Sequence, residues 1–215
     1  MSSLIDLLAR ALHQPRDHST LLVGLDGPGG AGKSTLAWAL GSELPDGTVI
    51  HMDDFYLPSS DRSAVSPAEI TVGLNFDLER LRRQVFSPLL ADSRIRYQRY
   101  DWDADALAEW HTVVPGGTVL VEGVCSIAPK LAKLYDLRLW LDCPREVRLA
   151  RGLARDGEEA RDNWSHEWMP AEDDYIRSCR PMDCADFLLA SMQPSKPDQA
   201  APSASALVDI VFSRA

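Results

Sequence analysis

The sequence predicts an α/β fold in which a parallel β-sheet is flanked by helices, and its 215 residues suit one domain, drawn here over residues 1–190. Three observations predict it. An apolar, strand-like run ending at Leu25 leads into Gly27-Pro28-Gly29-Gly30-Ala31-Gly32-Lys33-Ser34 and then into a helix-forming run, the arrangement of a phosphate-binding turn. Further short apolar runs at Thr48–Met52, Thr118–Val121, Leu137–Leu141 and Asp186–Ala190 are separated by helical segments. Carboxylates stand just beyond two of those runs, where ligands collect in open α/β sheets.

The elements follow in order. Residues 2–13 place Leu4, Ile5, Leu8 and Leu12 at helical spacing, with Ser2 or Ser3 as the cap. Thr20–Leu25 is the first strand, Lys33–Leu44 the first long helix, and Pro45-Asp46-Gly47 its stop. Residues 57–72, rich in proline and serine, read as a mobile connection able to close over a substrate. Asp77 is an N-cap candidate for a helix over LERLRRQVFSPLL. Ile95–Tyr100 alternates as a strand, and an acidic turn at residues 101–105 precedes Trp110 and His111, the latter read as structural. After Asp142-Cys143-Pro144 comes a helix bearing Arg145, Arg148, Arg151 and Arg155, and residues 158–179 read as helical, with Trp164, Trp168 and Tyr175 in packing. Residues 191–215 read as a flexible linker to about 205 and a tail whose stretch 206–212 adds an edge strand or docks elsewhere.

A formal charge of −10 gives no basic face for DNA, RNA or an anionic membrane, so any basic site is local. The four cysteines form no C-x-x-C pair and read as buried thiols. With neither a signal-like start nor a stretch of spanning length, a cytoplasmic location is expected. Oligomeric state is left open.

The loop is a complete G-x-x-x-x-G-K-[ST] P-loop, or Walker A pattern. Its glycines let main-chain N–H groups turn toward a polyphosphate while the helix starting near Gly32 aims its positive end at the same anion. The residues from Gly27 through Pro28, Gly29, Gly30, Ala31, Gly32, Lys33 and Ser34 to Thr35 form the nucleotide-binding set, Thr35 as a helix-start hydroxyl. Lys33 neutralises phosphate charge, and Ser34 completes a Mg²⁺ shell. Asp53 and Asp54, paired with such a loop, supply the carboxylate that phosphoryl transfer to a hydroxyl requires. Glu122 is the best-placed second acid, so Ser34, Glu122 and Asp53 are the metal-directed residues. Arg148, Arg151 and Arg155 share a helical face suited to a transferring phosphoryl group, with a solvated basic face as the plainer explanation.

With these residues assembled, the chain resembles the uridine kinase-like group of P-loop kinases, which includes phosphoribulokinases and bacterial pantothenate kinases. The likeness runs from about residue 21 to 190 and rests on GPGGAGKST, Asp53-Asp54-Phe55-Tyr56, Asn75-Phe76-Asp77, Tyr100-Asp101, Glu122-Gly123 and the arginine-bearing lid near 148–165. It implies a P-loop NTPase fold and a Mg²⁺/ATP-dependent kinase of a small-molecule hydroxyl, with a nucleoside such as uridine as first choice. It also implies Asp53 as the catalytic base, Lys33 with the lid arginines in charge stabilisation, and Asp54, Tyr56, Phe76, Asp77, Tyr100 and Asp101 around the acceptor. The chain departs from uridine kinases where Asp105 replaces a pyrimidine-reading His, Leu78-Glu79 replaces His-Pro, and Asp54 replaces Ser.

Two other readings stand beside this one. One keeps the chemistry with a pantothenate, sugar or sugar-acid acceptor. The other is an NTP-hydrolysing switch, against which stand the missing N-K-x-D and L-S-G-G-Q signatures and an acceptor base that a switch does not need.

Overall fold

The computed structural model of the protein describes residues 3–62, 75–191 and 203–213. β1 (Leu21–Asp26) and β2 (Gly47–His51) belong to the central sheet, whereas β3 (Ile95–Asp101) and β4 (Ala106–Val113) form a separate antiparallel hairpin. With β5 (Thr118–Glu122), β6 (Leu137–Asp142), β7 (Phe187–Ser191) and β8 (Val208–Ser213), the central sheet has the order β2-β5-β1-β6-β7-β8. Every neighbouring pair is parallel except β7 and β8.

The helices are α1 (Leu4–Leu12), α2 (Lys33–Glu43), α3 (Ser59–Arg62), α4 (Leu78–Leu81), α5 (Ser87–Leu90), α6 (Pro129–Ala132), α7 (Arg145–Asp156), α8 (Arg161–Asn163), α9 (Met169–Cys179) and α10 (Ala204–Leu207). A π-helical turn at Arg82–Phe86 joins α4 to α5, and another at Trp164–Trp168 joins α8 to α9. At the start of α1, Ser3 and Asp6 cap each other's main-chain N–H in a capping box.

β1 and β5 are buried along their whole length, as strands covered on both faces must be. Side-chain alternation then sorts the apolar residues into two cores. Leu22, Val119, Val121 and Trp140 face one, with Phe55, Phe86 and Tyr175. Leu21, Val23, Leu25, Leu120 and Leu139 face the other, against Leu36 and Leu40 of α2 and Leu4 and Leu8 of α1.

The registers that position the site are Leu25 opposite Glu122 and His51 opposite Glu122. The carboxyl end of β5 therefore lies between the loop after β1 and the acids after β2. The expected strands are present, and β8 realises the edge-strand alternative for the tail. Within the connection and the linker, residues 63–72 and 192–202 lie outside the described residues. His111 stacks on Tyr97 within the hairpin, with ring centroids 5.2 Å apart. The hairpin's pairing was not readable from spacing; Asp101 closes its tip by accepting the N–H groups of Asp103 and Ala104.

The helix α7 packs on Trp164 at Gly152, where a Cβ would stand 2.4 Å from the indole. In an exposed helix, glycine to alanine gains about 1 kcal/mol, but overpacking a filled site costs about 1–3 kcal/mol. Gly152→Ala is therefore expected to lower the thermal midpoint, and a midpoint at or above that of the wild type contradicts this packing.

Candidate active site

The phosphate loop sits between β1 and α2. Gly32 takes the cap position of α2 at φ 99°, a left-handed conformation open to glycine at little cost, and no side chain caps the helix. The first-turn N–H groups are thus left for an anion. Lys33 is buried, its Nζ donating to the Pro28 carbonyl at 3.0 Å.

The loop forms one wall of a cleft of about 790 Å³, to which Gly29, Gly30, Gly32, Lys33, Ser34 and Thr35 all contribute. Across from it stand Asp53 of the 3₁₀ turn after β2, Tyr56 just past that turn, Phe76, and Glu122 from β5. Arg151 and Arg155 reach in from α7, with Trp164 and Glu172 beside them. Of the remaining loop residues, Gly27 donates its N–H to Asp26 at 2.7 Å, and Ala31 is buried.

Two acids and a histidine meet near Ser34. The Ser34 hydroxyl donates to Glu122 Oε1 at 3.0 Å, and His51 Nδ1 lies 2.5 Å from the same oxygen. That contact raises the His51 pKa above its ordinary value. Asp53 is open to the cleft yet hemmed in by its walls, and this desolvation, with Glu122 beside it, pushes its carboxyl up, against Lys33. Among the described residues no cluster of three or more His, Cys, Asp or Glu could hold an ion unaided. A hydroxyl and one or two carboxylates suit Mg²⁺, whose shell phosphate oxygens complete.

The two acids after β2 diverge. Asp54 turns to the hairpin, where burial raises its pKa against hydrogen bonding from Tyr97 and the charges of His51 and His111. Three acceptor-side candidates are likewise engaged away from the cleft lining. Asp77 caps α4, accepting the Arg80 N–H at 2.8 Å. Tyr100 is buried and donates its hydroxyl to Asp105 at 2.5 Å. Asp101 pairs with Arg99 at 2.8 Å. Tyr56 and Phe76 do reach the cleft, and Trp102 joins them, its ring centroid 4.4 Å from that of Tyr56.

The arginines differ in depth. Arg148 is 5% exposed and bound to Glu172 at 2.6 Å. Arg151 donates to the Ala31 carbonyl at 3.1 Å and to Ser191 Oγ at 2.9 Å. Arg155 stands at the mouth, its side chain 70% exposed and paired with Asp156 at 2.6 Å.

Three polar residues of this region were not singled out by sequence: Asp26, His51 and Glu172. The one available signal for Glu172 was its spacing from Tyr175, which puts both on one face of α9.

The model of the phosphoribulokinase / uridine kinase family matches residues 22–194. A uridine kinase of Ligilactobacillus salivarius (strain UCC118) is 27% identical over 154 residues, covering 67% of this chain and 70% of that protein. A structure described as a possible uridine kinase from Bacillus stearothermophilus superposes with a TM-score of 0.62 at 25% identity, over 86% of this chain and 96% of the other. Phosphoribulokinase from Rhodobacter spheroides shares the fold, with a TM-score of 0.55 at 15% identity over 86% and 75% of the two chains. The chain has the P-loop NTPase fold and belongs to the phosphoribulokinase / uridine kinase family, as an ATP-dependent small-molecule kinase.

Proposed function

We propose that the protein transfers the terminal phosphoryl group of ATP to a hydroxyl of a nucleoside-like acceptor. The observation that carries this reading is the divergence of the two acids: Asp53 faces the cleft shared with Lys33 and Glu122, while Asp54 faces the hairpin. Asp53 orients the acceptor hydroxyl and takes its proton as the oxygen attacks the terminal phosphorus. The bond from that phosphorus to the bridging oxygen breaks, and ADP leaves. Lys33, Arg151 and Arg155 offset charge on the moving group. Ser34 and Glu122 would hold a magnesium ion beside Asp53, and the ion would supply positive charge to the phosphate groups. Arg148 has no place in this scheme, because it lies outside the cleft lining that Arg151 and Arg155 reach, its guanidinium on Glu172 and the Gly29 carbonyl.

For the acceptor, the aromatic wall of Tyr56, Phe76 and Trp102 favours a planar ring over a small acid. Trp102 is 52% exposed, a large aromatic face at the cleft's outer end. The favoured class is a pyrimidine nucleoside. A sugar or pantothenate acceptor is the second reading, favoured by Asp105, which stands in place of a base-reading histidine and accepts from the Ser59 and Tyr100 hydroxyls.

The test is ADP release with and without uridine, cytidine, simple sugars and pantothenate. Stimulation by a nucleoside supports the reading; stimulation by sugar or pantothenate alone moves it to the second. Turnover unchanged across the panel removes the transfer reading in favour of a hydrolytic switch.

Asp53→Asn is expected to lower kcat by about 10²–10⁴-fold, the usual weight of a general base, while leaving ADP affinity within about twofold. Equal turnover in variant and wild type removes Asp53 from the mechanism. Only the carboxylate form accepts a proton, and its folded pKa is raised. Activity should therefore be lost as pH falls through the Asp53 pKa, and this acidic limb of kcat/KM should be absent in Asp53→Asn.

A further inference from the structure

The phosphate loop is held from outside its own motif. Glu172 of α9, 7% exposed, accepts the Gly29 N–H at 2.9 Å through one oxygen and binds Arg148 of α7 at 2.6 Å through the other. Arg148 Nε in turn donates to the Gly29 carbonyl at 3.0 Å. The buried pair therefore grips both peptide groups of one loop residue. A Cβ on Gly29 would stand 2.6 Å from Glu172 Oε1 and 3.2 Å from the Trp164 ring, so the residue is seated against α9 and the π-helical turn that leads into it. One turn further along α9, the Tyr175 hydroxyl donates to Asp26 Oδ2 at 2.6 Å at the foot of the same loop.

We infer that Arg148 and Glu172 form a clamp that sets the loop's conformation and hence its affinity for nucleotide, so that both are positioning residues acting through Gly29. This rests on the kinase reading above. Such a pair is a poor source of stability, since desolvating two charges costs several kcal/mol that their attraction only about repays. What it supplies is geometry, because an N–H and a carbonyl held by charged partners leave the two peptide groups that flank Gly29 little freedom. A loop ordered before nucleotide arrives has less conformational entropy to lose on binding. The opposite arrangement is a plug, in which Glu172 competes with phosphate for the Gly29 N–H; removing it then tightens binding.

The test uses the full chain and ADP as the probe, with affinity read by titration calorimetry. Truncating Glu172 alone strands Arg148, so the main variant is the double Arg148→Met/Glu172→Leu, which replaces the pair with apolar side chains of similar bulk. Its ADP affinity is expected to fall about tenfold or more, with KM for ATP rising in step and kcat within about threefold, the pattern of lost uniform binding. Glu172→Gln keeps one acceptor oxygen but turns an amide donor toward either Arg148 or the Gly29 N–H, so it should also bind ADP several-fold more weakly than the wild type. In the nucleotide-free wild type, the Gly29 amide should exchange its hydrogen slowly, whatever the variants do. A double variant that binds ADP as well as the wild type, or better, overturns the clamp. So does fast exchange at Gly29. A wild type that fails to bind ADP at all overturns the kinase reading itself, a separate outcome.

Discussion

A carboxylate with no exposed surface lies under everything described above. Asp26, the last residue of β1, accepts N–H groups of Gly27, Cys125 and Ile127 at 2.7, 3.1 and 3.1 Å and the Tyr175 hydroxyl at 2.6 Å. Burial pushes its pKa up to about 6, against those donors and Lys33. Leaving any one of these donors without its acceptor costs about 1–3 kcal/mol. The end of β1, the turn after β5 and the helix α9 are thereby pinned at one point.

From that point the site is assembled by register. Parallel pairing puts Leu25 and His51 on either side of Glu122, so the loop, Glu122 and the turn carrying Asp53 leave the sheet together. The two cores hold those strands from both faces, and α2 begins uncapped at the loop. Rigid elements thus carry the groups to which transfer chemistry is assigned, and a separate hairpin brings Trp102 to the outer end of the cleft.

The strands and the loop were legible because they depend on local pattern: a glycine-rich turn after an apolar strand, and an apolar run for each sheet strand. Partners distant in the chain were not. Gly29 and Glu172 are 143 residues apart, and nothing near either announces the other. Helical periodicity placed Arg148, Arg151 and Arg155 on one face, but depth along that face depends on what packs against it, and only the last reaches the mouth. Asp53 and Asp54 were equivalent on spacing; a 3₁₀ turn sends the first into the cleft and the second to Tyr97. Asp77, an N-cap candidate from the start, caps α4.

The central claim is that main-chain amides at the start of α2 seat a triphosphate whose outer end faces Asp53. A crystal structure with magnesium and a non-hydrolysable ATP analogue tests it most directly. The account predicts phosphate oxygens within hydrogen-bond reach of the N–H groups of Gly32, Lys33 and Ser34, with the Asp53 carboxylate beyond the terminal phosphorus. An analogue bound elsewhere, or an Asp53 side chain turned away from that phosphorus, contradicts it.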